Sequence, residues 1–266
     1  MTQPADPHLR TVRFAARLAA AIGLVWLVGC SPPSDTATSG VSAANDASPS
    51  GVPAPIDQVV LIGDSLGEQT TPYLQTLVAN RTFVSHVFGG TAPCDWLGQD
   101  LSVTATSIAV ITFIGNSSST CMADGAGGFL QGQALVDKYR SDMTALVAQV
   151  RSSGAQVLMV GQPQRPGDAN VETEISGLNA LYAGLAQPGA VSFVDAGASV
   201  EDANGAFILR LPCLPGETQC DADGSITVRS EDGVHFCSNA PATGCSEYSS
   251  GAFRFAATIA TALNLL

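Results

Sequence analysis

Short apolar runs and longer stretches of helical periodicity alternate along this chain. The runs at 57–63, 108–114, 156–161 and 191–194 are rich in Val, Ile, Leu and Phe and give way abruptly to small or polar residues, as strands do, and 82–88 alternates as a strand. Between them, apolar residues recur three and four apart. Tyr73, Leu74, Leu77 and Val78 predict a helix over 70–80, with Pro72 in its first turn. Leu135, Tyr139, Met143, Leu146 and Val150 predict a longer one over 131–152. Further helices are predicted over 171–185 and over 250–265, the last packing Phe253, Ala256, Ile259 and Leu263 onto the sheet. Strand and helix in turn imply an α/β fold around a mostly parallel, doubly wound sheet with right-handed crossovers. Residues 203–246 break the rhythm. They are rich in Gly, Pro and Asp and read as loop.

The first 55 residues follow a different logic. Arg10, Arg13 and Arg17 precede an apolar stretch over 18–28, too short to span a bilayer as a mature helix, so residues 1–29 read as a secretory signal. Leu27, Val28, Gly29 and Cys30 resemble a bacterial lipobox, which would make Cys30 a lipidated mature N-terminus. Residues 30–55 are Ser, Pro, Ala, Thr, Gly and Asp with hardly any large apolar side chain. They cannot bury enough surface to offset the entropy of ordering and read as a tether, leaving 56–266 as one globular domain. The expected location is the outer face of the cell membrane, held by the lipid. A net charge of −12 argues against a nucleic-acid partner, which requires a basic patch.

Export changes the meaning of the cysteines. With Cys30 set aside, Cys94, Cys121, Cys213, Cys220, Cys237 and Cys245 form an even set, which in an oxidising compartment implies disulfides. Of the fifteen possible connectivities the sequence-local one is favoured: Cys94 with Cys121, Cys213 with Cys220, and Cys237 with Cys245. A zinc site is the weaker reading, because no CxxC pair occurs and the chain has 3 histidines.

The candidate chemistry lies where strands end. The first run stops at Gly63-Asp64-Ser65-Leu66, delivering a serine to the carboxyl edge of the sheet, where such folds bind ligands. A serine hydroxyl is a weak nucleophile until a base takes its proton. The candidate base is His235, in Asp232-Gly233-Val234-His235, and a carboxylate three residues upstream can fix the imidazole tautomer. Donors for a developing oxyanion are also needed: the Ser65 N–H, an N–H at Gly89 or Gly90 after the second strand, and the Asn116 amide after the third.

These blocks resemble the SGNH (GDSL) hydrolase superfamily, named for its Ser, Gly, Asn and His. Gly63-Asp64-Ser65-Leu66 matches the first block, Asp232 and His235 the last, and Gly90 and Asn116 stand at the second and third. The third departs from the usual Gly-x-Asn-Asp, since Gly115 adjoins Asn116 and Ser117 follows. The resemblance implies a three-layer α/β/α, flavodoxin-like fold and no cofactor or metal. It makes Ser65 the nucleophile, His235 the base and Asp232 its orienter, with Ser65, Gly90 and Asn116 forming the oxyanion hole. The implied activity is esterase or deacylase chemistry on an acyl ester or O-acylated glycan or lipid. O-acyl transfer to an envelope glycan, and a catalytically weak glycan-binding lipoprotein, are the alternatives.

Other polar residues have plainer readings. Asp64 braces the turn beside the nucleophile, His86 is a strand residue, and Asp195 is a reserve candidate for orienting the histidine. Trp96 and Tyr248 either line a pocket or pack. A Cys94–Cys121 bridge would tie the ends of the second and third strands and hold Gly90 and Asn116 in register.

Overall fold

The computed structural model describes residues 55–237 and 245–266. The expected signal, Cys30 and nearly all of the expected tether fall outside the described residues. Five parallel strands, β1 (Gln58–Gly63), β2 (Thr82–Val87), β3 (Ser107–Thr112), β4 (Gln156–Val160) and β5 (Val191–Val194), form one sheet in the order β2-β1-β3-β4-β5. Side chains of a strand alternate between faces, and both faces here are apolar. Val59, Leu61, Ile108, Val110, Leu158 and Val160 meet α1 (Ser65–Leu77) and α4 (Ser250–Leu263) on one side. Val60, Ile62, Ala109, Ile111, Val157 and Met159 meet α2 (Gly132–Arg151) and α3 (Ala169–Gly184) on the other. The fold is the expected three-layer α/β/α sandwich, and the expected stripe on α2, Leu135 to Val150, is buried throughout.

The register sets the position of the site. Gly63 pairs level with Val87 of β2 and Thr112 of β3, so the segments leaving these strands emerge side by side. The approach is close: a Cβ on Gly63 would lie 2.3 Å from the Thr112 carbonyl oxygen, so only glycine fits at this strand end.

Two sequence expectations about helices need correction. The first helix begins at Ser65, not Thr70, because Asp64 caps it: Asp64 Oδ1 accepts the Leu66 N–H at 3.1 Å. Its first turn carries Ser65, Glu68 and Gln69, polar residues that send no apolar signal. Pro72 therefore lies inside the helix, on its exposed side, where its missing N–H interrupts the ladder. Leu77 is likewise exposed, and Leu74 and Val78 do the packing. In α4 the core aromatic is Phe255. Phe253 is half-buried and makes edge contacts with Tyr73, ring centroids 6.2 Å apart.

No helix joins β2 to β3; that connection carries a 3-10 turn at Pro93–Trp96. The loop-rich stretch after β5 contains two short antiparallel strands, β6 (Arg210–Pro212) and β7 (Ser225–Thr227). All three sequence-local disulfides are formed: Cys94–Cys121, Cys213–Cys220 and Cys237–Cys245.

Candidate active site

Ser65, His235 and Asp232 form a continuous hydrogen-bonded relay. Ser65 is the first residue of α1, 8 % exposed, at the end of β1. Its Oγ lies 3.0 Å from His235 Nε2, and His235 Nδ1 lies 2.7 Å from Asp232 Oδ2. With Nδ1 protonated toward the carboxylate, Nε2 is left to accept the serine proton. Burial works against the charge on Asp232, but the N–H groups of His235 and Val234 and the imidazole together outweigh it, holding the carboxyl below its ordinary value. The relay is open to solvent at its far end, the His235 and Asp232 side chains being 30 % and 47 % exposed.

The loop that presents the histidine is built from below. Arg229 is fully buried, and its guanidinium donates to the carbonyls of Gly233 at 2.7 Å, Val234 at 3.0 Å and Gln164 at 2.9 Å. Gly233 and Val234 are the two residues between Asp232 and His235, so this side chain fixes the turn that sets their spacing. Burial lowers the Arg229 pKa to about 10, with Glu201 and Asp232 countering the loss, and the group keeps its charge at neutral pH. A second tie comes from α1, where Gln69 Oε1 accepts the Phe236 N–H at 2.7 Å. Gly233 has φ +75°, and a Cβ there would strike Pro166 at 2.4 Å.

The three residues expected to supply oxyanion donors line one cavity. A cavity of about 500 Å³ is lined by Ser65, Glu68, Phe88, Gly90, Asn116 and His235, among others. Among the described residues, neither the Ser65 nor the Gly90 N–H has a hydrogen-bond partner. Gly89 is distinguished from Gly90 by Glu68, whose carboxylate lies beside the Gly89 N–H. That leaves Gly90, at φ +79°, as the free donor.

Asn116 is held more firmly than the sequence suggested. Its Nδ2 donates to Asp64 Oδ2 at 3.0 Å and to the Thr91 carbonyl at 3.2 Å, while Tyr139 donates to its carbonyl at 2.9 Å. An oxyanion would have to share the second amide hydrogen with Thr91. Asp64 also accepts the Ile114 N–H at 2.7 Å. It braces two loops at once, more than the one turn expected of it. Complete burial pushes its pKa up to about 7, although the N–H groups of Ile114 and Leu66 and the His235 ring oppose the rise. The Cys94–Cys121 bridge lies in these same loops, joining the segments that carry Gly90 and Asn116.

The remaining candidates do not converge. Asp195 accepts the Ala198 N–H at 3.3 Å and makes no contact with His235. Trp96 packs edge-on against His86 and donates to Thr91 Oγ1 at 3.2 Å, supporting the glycine loop from outside the cavity. Tyr248 packs with Tyr73 and lines a different hollow, with Arg229 and Phe236. Sequence reasoning missed Glu68, Gln69 and Arg229. The spacing of Ser65 and Glu68, one helical turn apart, would have placed Glu68 on the Ser65 face of the helix had the cap at Asp64 been read as a helix start.

Fold and site together define a three-layer α/β/α protein with a Ser-His-Asp relay at the carboxyl edge of its sheet, in the SGNH arrangement of Ser65, Gly90, Asn116 and His235. The sequence profile of the family described as "Protein of unknown function (DUF459)" matches residues 58–242, and the chain belongs to that family. No curated protein matches it. Solved structures it resembles include a GDSL-like lipase from Bacteroides thetaiotaomicron, with 15 % identity over 79 % of this chain and 88 % of that one and a TM-score of 0.49. The catalytic domain of a Streptococcus pneumoniae peptidoglycan O-acetyltransferase is similar at 17 % identity over 79 % and 94 %, TM-score 0.48. A carbohydrate esterase family 3 protein from Talaromyces cellulolyticus follows at 14 % identity over 78 % and 96 %, TM-score 0.47.

Proposed function

We propose that this protein is a serine esterase that removes acyl groups from an ester-bearing or O-acylated cell-envelope substrate through an acyl-enzyme. The observation that carries this reading is the relay from Asp232 through His235 to Ser65, at 2.7 and 3.0 Å, opening into a cavity with unpartnered N–H groups. His235 takes the Ser65 proton as Oγ attacks the ester carbonyl. The N–H groups of Ser65 and Gly90, with the Asn116 amide, receive the charge on the tetrahedral oxygen. The imidazolium then protonates the departing alcohol, and water activated by the same histidine releases the acyl group as a carboxylic acid.

A glycan hydroxyl in place of that water would make the same relay an O-acyltransferase. The half-exposed Asp232–His235 pair favours water, because bulk solvent reaches the base directly. The setting is part of the proposal: the 1–29 leader and Cys30 point to export and lipid anchoring, and three disulfides suit an oxidising compartment.

Hydrolysis of p-nitrophenyl acetate by the wild type and by Ser65→Ala tests the reading. The expected loss is on the order of 10⁴-fold or more, as for removal of a serine nucleophile elsewhere. Equal rates would overturn it.

A further inference from the structure

A second cavity shares Asn116 with the first. It measures about 330 Å³ and is lined by Ser117, Ser118, Gln131, Arg165 and Asn170, together with Asp168 and Glu174. The two hollows adjoin: a Cβ on Gly90, which faces the Ser65 cavity, would lie 3.9 Å from Ser118 Oγ in the wall of the other. Their chemistry differs. The Ser65 cavity has apolar surface at Val234 and at Phe88, which is 60 % exposed, whereas Val171 is the one branched aliphatic residue in the wall of the second.

The second cavity is built around a fixed guanidinium. Arg165 Nη2 donates to Glu174 Oε2 at 2.9 Å, and Glu174 Oε1 accepts the Gly132 N–H at 2.6 Å, which locks the pair between the starts of α2 and α3. Arg165 Nε is buried with no partner, and among the described residues Nη1 has none either. Nε is closed off from solvent, so Nη1 is the atom that retains donor capacity a ligand can use.

We propose that this cavity is a carbohydrate subsite, holding a neutral sugar unit next to the one that presents its ester to Ser65. The proposal rests on the esterase reading and names its substrate class. An acyl chain would find almost no apolar wall here. An anionic ligand would meet one guanidinium already paired with Glu174, and Asp168 besides, so the lining disfavours carboxylate or phosphate. What the wall offers is a mixture of amide, hydroxyl and guanidinium donors with carbonyl and carboxylate acceptors, the set that recognises vicinal hydroxyl groups. At about 330 Å³ the cavity lies at the lower end of ligand pockets, suited to one compact polar unit.

The test compares two ester substrates. The double variant Gln131→Ala/Asn170→Ala removes two exposed amides and leaves the Arg165–Glu174 pair intact. The expected result is a fall of about tenfold in kcat/KM on partially O-acetylated cello-, chito- or xylotetraose, with the rate on p-nitrophenyl acetate unchanged within about twofold. Arg165→Gln is expected to act in the same direction on the oligosaccharide. An equal effect on both substrates, or on neither, overturns the proposal.

Binding of the unacetylated tetraoses to Ser65→Ala, followed by NMR titration, separates this failure from failure of the esterase reading. If p-nitrophenyl acetate is not cleaved by the wild type, saturable binding weakened about tenfold in the Gln131→Ala/Asn170→Ala background still supports the subsite. No binding of any of the three oligosaccharides overturns it.

Discussion

Asp64 Oδ2 and Asn116 Nδ2 are hydrogen-bonded at 3.0 Å, so the residue beside Ser65 holds the residue proposed to face the oxyanion. The same oxygen accepts the Ile114 N–H, and the other caps α1. One buried carboxylate thus joins the end of β1 to the end of β3 and sets the distance between Ser65 and Asn116.

This arrangement predicts the behaviour of Asp64→Asn. An amide at this position cannot accept from Leu66, Ile114 and Asn116 together, because one of its two ends is a donor. Asn116 is expected to move, lowering kcat on p-nitrophenyl acetate by up to about 100- to 1000-fold, the range for loss of an oxyanion donor, with KM little changed. Wild-type kcat in this variant would show that Asp64 does not position Asn116.

The same residue predicts a pH dependence of stability. Folding raises the Asp64 pKa from 3.8 to about 7, so the folded state holds this proton more tightly than the unfolded chain. Its contribution is complete below pH ~3.8 and is lost as pH rises through ~7. The difference in Tm between wild type and Asp64→Asn should therefore shift steadily against the wild type from pH 4 to pH 8. Thermal unfolding across that range checks this, and a pH-independent difference would rule it out.

Arg229 predicts a separation of stability from catalysis. Arg229→Lys keeps the charge but replaces a planar fork with a point donor, which cannot serve Gly233, Val234 and Gln164 at once. The variant should fold with reduced Tm, and the turn between Asp232 and His235 should loosen. The expected signature is a lower kcat with nearly unchanged KM and a displaced acidic limb in the pH–rate profile. A fall in Tm with wild-type kinetics would mark Arg229 as a purely structural residue.

The Cys94–Cys121 bridge closes a loop of sequence separation 27. Chain-entropy reasoning gives such a closure about 3.5 kcal/mol. Replacing both cysteines by serine should lower stability by up to that amount in denaturant titrations. It should also reduce kcat, because the Gly90 and Asn116 loops lose their covalent tie. Unchanged activity in the folded variant would show that the hydrogen bonds from Asn116 to Thr91 and from Ser119 to Asp95 keep register without the bridge.

The parts legible in the sequence are those governed by local pattern. Strand runs bounded by glycine and the apolar stripe of α2 gave the layer order, since burial on two faces demands apolar residues at fixed periods. Gly63-Asp64-Ser65-Leu66 and Asp232-x-x-His235 named the relay because each motif is a contiguous piece of chain. The start of α1 was hidden: its first turn is polar, and its cap at Asp64 lies inside the Gly63-Asp64-Ser65-Leu66 motif.

Tertiary structure decided what depends on side chains meeting across the sheet. Glu68 distinguishes Gly89 from Gly90, Asp64 reaches 52 residues along the chain to Asn116, and Arg229 supports the histidine turn from beneath. None of these leaves a periodic trace, because a buried polar residue is recognised by its partners and not by its neighbours in sequence. The sequence alone determined which residues can carry the chemistry. The packed sheet determined how far apart they stand and which of their hydrogen bonds remain free.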